Sequence, residues 1–366
     1  MEAPSAGTGD WSSVAMSPDG LHQIAGDYYG EKIYISSNAG TTWTLSVEVG
    51  ALVSGVATSS DGVKMTATTN SDIWTSSDSG DSWEPVPGTS DMWWGVVMST
   101  NGQTQLAKKY FGDVHISSDS GATWSYSVSG GAEIRGIAMS SSGIVQTVVG
   151  TTIDISSDAG ATWTSSNAPS KTWLNVAMSA DGALQTAVAN DNTLWTSADS
   201  GVAWTEVSTT ATDVFKSLSM STSGEFQTAV NMMGRSIWAS VDYGATWEQD
   251  TAIGDKHWTA VAMGTSTDEL TQYTTATVFG GGIWIGTSTS TRSPSSVPTK
   301  MPTSPSSVPT NMPTNPIAPD DDTMDYVGII AGSIAGIVVV SIGAYVHCSK
   351  TKTHTVAESA AVIEMP

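Results

Sequence analysis

The stretch S-S-D-S-G-A-T-W at residues 117–124 recurs with small changes at 36–43, 76–83, 156–163, 197–204 and 240–247. Its closing tryptophans are Trp43, Trp83, Trp124, Trp163, Trp204 and Trp247, spaced 40, 41, 39, 41 and 43 residues apart. Each copy reads as a tight turn. The carboxylate accepts turn amides, the glycine takes φ > 0, the hydroxyls add local bonds, and the tryptophan fills space between neighbouring sheets. A second unit alternates with it: SSVAMSPDG, SGVATSSDG, WGVVMSTNG, RGIAMSSSG, LNVAMSADG, KSLSMSTSG and TAVAMGTST. Its marker residues are Met16, Thr58, Met98, Met139, Met178, Met220 and Met263, at intervals of 42, 40, 41, 39, 42 and 43.

Between the markers lie short β-rich runs such as LQTAVA and TLWTS, apolar on both faces. A sheet sandwiched between two others has that character. Four short strands per repeat of about 40 residues, repeated seven times, predict an all-β, seven-bladed β-propeller of four-stranded blades over residues 1–290. The composition agrees. Only 13% of the 366 residues are charged, against about 25% in an ordinary domain. A net charge of −22 argues against a nucleic-acid surface. A single cysteine excludes intrachain disulfides and cysteine-based zinc sites, so no metal or cofactor is expected.

The turn motif resembles the Asp box, S/T-x-D-x-G-x-T/S-W, of the sialidase-type (BNR) repeat family, over roughly residues 11–290. The resemblance implies a propeller with each box between the third and fourth strands of a blade. Asn38, Asp78, Asp119, Asp158, Asp199 and Asp242 are then turn builders, since a catalytic centre is not repeated around a ring. In the fifth box Ala203 replaces the hydroxyl residue, and the seventh unit has no box. Residues 1–10 read as a poor strand, so either the last blade is short or a closing strand precedes the sequence. The blade count and repeat length are also similar to the photosystem II assembly factor family. Sortilin-type receptors, which place an Asp-box propeller outside a membrane helix, carry a disulfide-rich module that is missing here.

Catalysis is not expected. Sialidase chemistry needs three arginines around a substrate carboxylate, whereas this chain has Arg135, Arg235 and Arg292, the last outside the repeats. Xyloglucan hydrolases with Asp boxes pair acids across two tandem propellers. Free acids such as Asp27, Asp72, Asp113, Asp154 and Asp191 leave a glycoside hydrolase as an alternative. Binding is the favoured class. The loops between second and third strands differ among repeats: 27–32, 70–72, 108–113, 190–192 and 231–235. Five residues before each marker stand Trp11, Val53, Trp93, Ile134, Trp173, Phe215 and Trp258, either a rim for ligand or packing between blades. The candidate ligand-binding set is Tyr28, Tyr29, Trp93, Trp94, Lys108, Tyr110, Phe111, Trp173, Asp191, Arg235 and Trp258.

Beyond the repeats the chain changes character. Residues 291–325 form a Pro/Ser/Thr stalk with an acidic end, in which SPSSVPTKMPT is followed by SPSSVPTNMPT. Proline at this density excludes helix and sheet and leaves an extended spacer, O-glycosylated or bare. Tyr326 to Val346 is free of charge and, at about 1.5 Å per residue, matches a bilayer core as one transmembrane helix. Lys350 and Lys352 follow it, so residues 347–366 are expected to be a cytoplasmic tail with the propeller outside, at the plasma membrane. The start MEAPSAGTGDW has no leader character, and the expectation is that a native signal peptide precedes it. The alternative is a scaffold facing the cytosol or an organelle lumen. The absence of an N-x-S/T sequon weighs slightly against the outside placement. Gly328, Gly332 and Gly336 suit a homodimer of the span, and Cys348 suits palmitoylation or a plain thiol. The expected partner is an unidentified protein or glycan.

Overall fold

The computed structural model describes residues 1–110, 112–128, 134–207, 215–231, 236–250, 256–265 and 271–289. Among them the chain forms six four-stranded antiparallel blades and a seventh of three strands. Blades 1 to 7 span residues 9–48, 53–85, 93–128, 136–165, 173–207, 215–250 and 258–289. In blade 3 the strands are Trp93–Met98, Gln105–Lys109, Val114–Ser117 and Ser125–Val128, each paired to the next. The first strand of every blade lies beside the first strand of its neighbours, and that of blade 7 lies beside that of blade 1. The ring is therefore closed, with first strands at the axis. Second strands are buried almost throughout, while the fourth strands face water. This is a multi-bladed β-propeller.

The core sits between blades. Each apolar cluster draws on two neighbours: Ile73 and Val86 of blade 2 meet Trp93 and Val96 of blade 3, and Val230 and Ile237 of blade 6 meet Trp258 and Val261 of blade 7. A polar ladder runs through the same interfaces. A glutamine opens the second strand in most blades, and its amide donates to the preceding loop glycine at 2.8–3.1 Å. Its Oε1 accepts from a threonine of the preceding blade: Thr66 to Gln105, Thr147 to Gln185, Thr186 to Gln227 and Thr275 to Gln23, at 2.7–2.8 Å. Buried polar atoms cost little only when paired in this way. Where blade 1 offers Ile24, blade 2 answers with Met65 instead of glutamine. Between blades 3 and 4 the match fails. Leu106 stands at the threonine's place in the second strand of blade 3, and Gln146 Oε1 has no partner among the described residues.

The last blade is short, one of the two alternatives that the sequence left open, and the N-terminal segment lies along its third strand. Met1 and Ala3 hydrogen-bond Ile285 and Ile283 of the third strand of blade 7, and Glu2 bridges Trp284. Gly9 and Asp10 of the first strand also pair with Gly281 and Phe279. Alternation is invisible in M-E-A-P because the segment buries only the small Ala3 and Ala6. The stalk, span and tail expected at 291–325, 326–346 and 347–366, with Gly328, Gly332 and Gly336, lie outside the described residues. No helix among the described residues is long and apolar enough to cross a membrane.

Candidate functional site

Antiparallel order puts the S-x-D-x-G turns and the loops between first and second strands at one end of the ring. The loops between second and third strands, and the connections between blades, lie at the other. The turn end is occupied with holding itself together. In each turn the serine hydroxyl donates to Oδ1 of the acid, at 2.8 Å, or to Asn38 at 3.0 Å. The backbone N–H four residues on donates to the same Oδ1 at 2.8–2.9 Å. A Ser or Thr hydroxyl reaches Oδ2 of Asp78, Asp119, Asp158 and Asp242 at 2.5–2.6 Å. Ala203 forfeits that last bond in the fifth turn. The bonds to Ser82 and Thr162 pull Asp78 and Asp158 down to about 2. The residue before each glycine takes φ between 55° and 65°, a conformation held by this network.

At the other end the first-strand residue directly after Trp11, Val53, Trp93, Trp173, Phe215 or Trp258 is a bulge that register pairing skips. In blades 1, 2 and 7 it is a small hydroxyl that clips the next blade: Ser12 to Val53 O, Ser54 to Trp93 O and Thr259 to Trp11 O, at 2.7–2.8 Å. In blades 3, 5 and 6 it is Trp94, Leu174 and Lys216, and Arg135 holds the equivalent position in blade 4. The repeat is thus broken on one side of the mouth, by large side chains.

The aromatic residues divide across this bulge. Trp93, Trp173 and Trp258 leave the candidate set: they are 2%, 0% and 0% exposed and pack between blades. Trp93 meets the turn tryptophan Trp124 at 6.3 Å, and Trp173 meets Trp204 at 6.3 Å. Their neighbours at the mouth behave differently. Trp94 and Tyr110, both half-buried, have ring centroids 4.5 Å apart. Tyr28 stands edge-on to Tyr29 at 4.9 Å, and Tyr29 to Phe279 at 6.3 Å. Tyr29 is 49% exposed. Burial, then the neighbouring Tyr29 and Tyr110, push the Tyr28 phenol up to about 12. Its hydroxyl is buried and finds no hydrogen-bond partner among the described residues. Phe279 is missing from the sequence-derived set; it lies in a second strand longer than those of the other blades, where no loop marks it.

The charged candidates are equally divided. Lys108 is buried over its length, in the second strand of blade 3. Burial, and then the Arg135 guanidinium, lower its ammonium to about 7. Burial also lowers Lys216 to about 8. Asp191 sits at the rim, held by Lys171 and by Thr193 at 2.6 Å. Burial raises its carboxyl, but those bonds outweigh it and the net direction is down. On blade 1, Asp27 accepts from the N–H groups of Asp10 and Gly30 at 3.0 and 3.1 Å. Burial, then Asp27, raise Asp10. Asp72 accepts from Ser90 of the connection to blade 3, and Asp154 from Thr152 and Ser165 within blade 4. Phe111 and Arg235 lie outside the described residues. No group of acids, histidines and cysteines among the described residues could hold a metal.

No family model and no curated protein sequence matches the chain. Its fold is similar to that of several solved β-propellers. YCF48 from Cyanidioschyzon merolae superposes with a TM-score of 0.60 at 13% identity, covering 77% of this chain and 97% of that one. A structure of YCF48 bound to D1 peptide gives 0.59 at 15%, covering 77% and 94%. Hydrazine synthase from Kuenenia stuttgartiensis gives 0.60 at 10%, covering 80% and 97%. The GH74 xyloglucanase from Xanthomonas campestris gives 0.60 at 16%, covering 78% of this chain and 53% of the enzyme. At such identities the likeness concerns the fold alone, and these neighbours include enzymes and a non-enzyme.

Proposed function

We propose that the protein is a membrane-anchored binding propeller that recognises a protein or glycan outside the cell and performs no catalysis. The observation that carries the reading is the aromatic mouth of Tyr28, Tyr29, Trp94, Tyr110 and Phe279, at the end opposite the S-x-D-x-G turns. Clustered rings of which one, Tyr29, is exposed and three are half-buried are what interfaces and ligand sites use. The turn carboxylates belong to the scaffold, in keeping with the sialidase-type repeat pattern. The Pro/Ser/Thr stretch and the uncharged span of the sequence supply the anchor. A scaffold facing the cytosol or an organelle lumen is the second reading, favoured by the neighbour whose propeller is bound to a peptide.

Two measurements on the full chain test this. Protease added to intact cells should remove the propeller and spare a tag on the tail. Protection of the propeller would favour the scaffold reading. A glycan and protein binding screen should then return ligands whose affinity falls roughly tenfold or more in Trp94→Ala and Tyr29→Ala, as for buried aromatic anchors. Ligands indifferent to both substitutions would overturn the mouth as the binding face.

A further inference from the structure

Blades 1 and 7 meet at the mouth with two acids and three rings. Asp27 ends the second strand of blade 1 and is 9% exposed, and its Oδ1 accepts the N–H groups of Asp10 and Gly30 at 3.0 and 3.1 Å. Asp10 is paired with Phe279 across the two blades, which makes their side chains cross-strand neighbours. Tyr28 follows Asp27, and its N–H donates to Asp10 O at 2.9 Å. Tyr29 stands between the other two rings, edge-on to Tyr28 at 4.9 Å and to Phe279 at 6.3 Å.

The chain supplies no counter-ion here. Neither Asp10 nor Asp27 has an ion pair among the described residues. Lys32 is the strand partner of Asp27, yet its ammonium bonds Glu48 at 3.3 Å. Blade 3 handles the same register position differently: it carries Lys109 there, and Asp91 answers it at 2.6 Å. The chain also covers rings elsewhere with lysines of its own. Lys109 stands 5.4 Å from the Trp93 centroid, Lys171 5.4 Å from Trp195 and Lys256 4.4 Å from Trp284. No lysine covers Tyr28, Tyr29 or Phe279 in this way among the described residues.

A cluster that only sealed the joint would look different. Its rings would be hidden, as Trp258 is at 0%, whereas Tyr29 is 49% exposed. Phenylalanine would fill the place of Tyr28 without burying a hydroxyl that has no partner among the described residues. Two acids side by side add repulsion to a joint, and burial, then Asp27, raise the Asp10 carboxyl accordingly. Rings and unanswered carboxylates together suit a cation.

We propose that this corner of the mouth is a site for a methylated organic ammonium group, held against the open face of Tyr29 beside Tyr28 and Phe279, with Asp10 and Asp27 as its counter-ions. A quaternary ammonium is the ligand that aromatic faces recognise best, and the net charge of −22 favours the approach of cations. The inference deepens the binding reading of the same mouth and rests on it. The ammonium is either that of a free, choline-like molecule or borne on a methylated lysine of a protein ligand, and the chemistry at the rings is the same.

The test is calorimetric titration of the full chain in maltoside micelles with tetramethylammonium, choline and a peptide carrying trimethyl-lysine. Sodium and dimethylbutanol, the uncharged isostere of choline, serve as controls. Saturable binding is expected for tetramethylammonium and for neither control. Tyr29→Leu keeps apolar bulk without a ring and should weaken binding roughly tenfold, or about 1.4 kcal/mol, while Tyr29→Trp should preserve it. Asp10→Asn should weaken it severalfold while the melting temperature holds or rises, a pairing of effects that a structural carboxylate would not produce. Choline that binds as tightly as the peptide identifies a free ligand, and a peptide that clearly exceeds choline identifies a borne group. The proposal is overturned if tetramethylammonium does not saturate, if dimethylbutanol binds equally well, or if Tyr29→Leu binds as the parent does. If screen ligands still depend on Tyr29 and Trp94 in that event, the binding mouth stands and the ammonium site alone falls.

Discussion

Gln185 and Gln146 occupy the same place in successive blades and should answer differently to one substitution. Gln185 donates to Gly182 O at 3.1 Å and accepts from Thr147 Oγ1 at 2.8 Å. Gln185→Met strands both partners in a buried interface. Each stranded group costs about 1–3 kcal/mol, so the loss should be about 2–6 kcal/mol. Gln146 makes only the donation to Gly143 O, at 2.8 Å, because Leu106 offers no donor to its Oε1. Gln146→Met strands one carbonyl and removes an orphaned oxygen, so the two contributions nearly cancel and the cost should be about 0–2 kcal/mol. Urea unfolding of both variants measures the contrast. Thr147→Val completes a double-mutant cycle with Gln185→Met, and the coupling should be about 1 kcal/mol or more. Equal costs for the two glutamines, or a cycle additive within about 0.5 kcal/mol, would refute the claim that the threonine–glutamine bonds join the blades.

Ala203→Thr should restore the hydroxyl bond that the other turns make to their acid, and raise stability by about 0.5–1.5 kcal/mol in the same unfolding assay. Lys108 gives stability a pH dependence. Its ammonium titrates near 7 in the fold and near 10.5 in the unfolded chain, so between those values the unfolded state holds the extra proton. Stability of the parent relative to Lys108→Met is therefore lowest below pH 7 and recovers as pH rises towards 10.5. The span bounds the effect at about 5 kcal/mol. Unfolding free energies of both proteins from pH 6 to 10 should converge; a constant difference would deny that the buried ammonium is the cause.

Much of this architecture was legible because repetition reports on itself. S-S-D-S-G-A-T-W marks a turn whose hydrogen bonds are local, so a sequence window contains every partner. The methionine markers locate the first strands for the same reason. The glutamine ladder was not legible: Gln185 depends on Thr147, a residue of another blade, and a glutamine opening L-Q-T-A-V-A reads locally as no more than a polar strand end. The mouth was half legible. Tyr28, Tyr29 and Tyr110 stand in loops that vary among repeats, which marks them. Trp93 and Trp94 are adjacent tryptophans with opposite fates, one sealed between blades and the other beside Tyr110. The bulge that separates them leaves no mark in the alternation, so Trp93, Trp173 and Trp258 were counted with the rim.

That bulge also explains how a repetitive scaffold acquires a site on one side only. A seven-fold ring presents seven equivalent positions at its mouth, and nothing in the backbone distinguishes them. The distinction comes from what each blade does with the bulged residue. Ser12, Ser54 and Thr259 donate to the next blade and so stabilise the ring. Trp94, Arg135, Leu174 and Lys216 give up that clip for reach. The loss falls on consecutive blades, 3 to 6, which also include a rung of the ladder that lacks its threonine donor, at Gln146. The larger side chains thus share one arc of the ring, where the blades are joined by other bonds such as Asn175 to Lys216 O and Val261 N to Ser217 Oγ, while the clipped arc holds Asp10 and Asp27 in a hydrogen bond of their own. Stabilising substitutions in the unclipped arc should accordingly be easier to find than in the clipped one. Among the bulge residues Trp94 should be the one whose replacement loses ligand, because it stands with Tyr110 in the aromatic mouth.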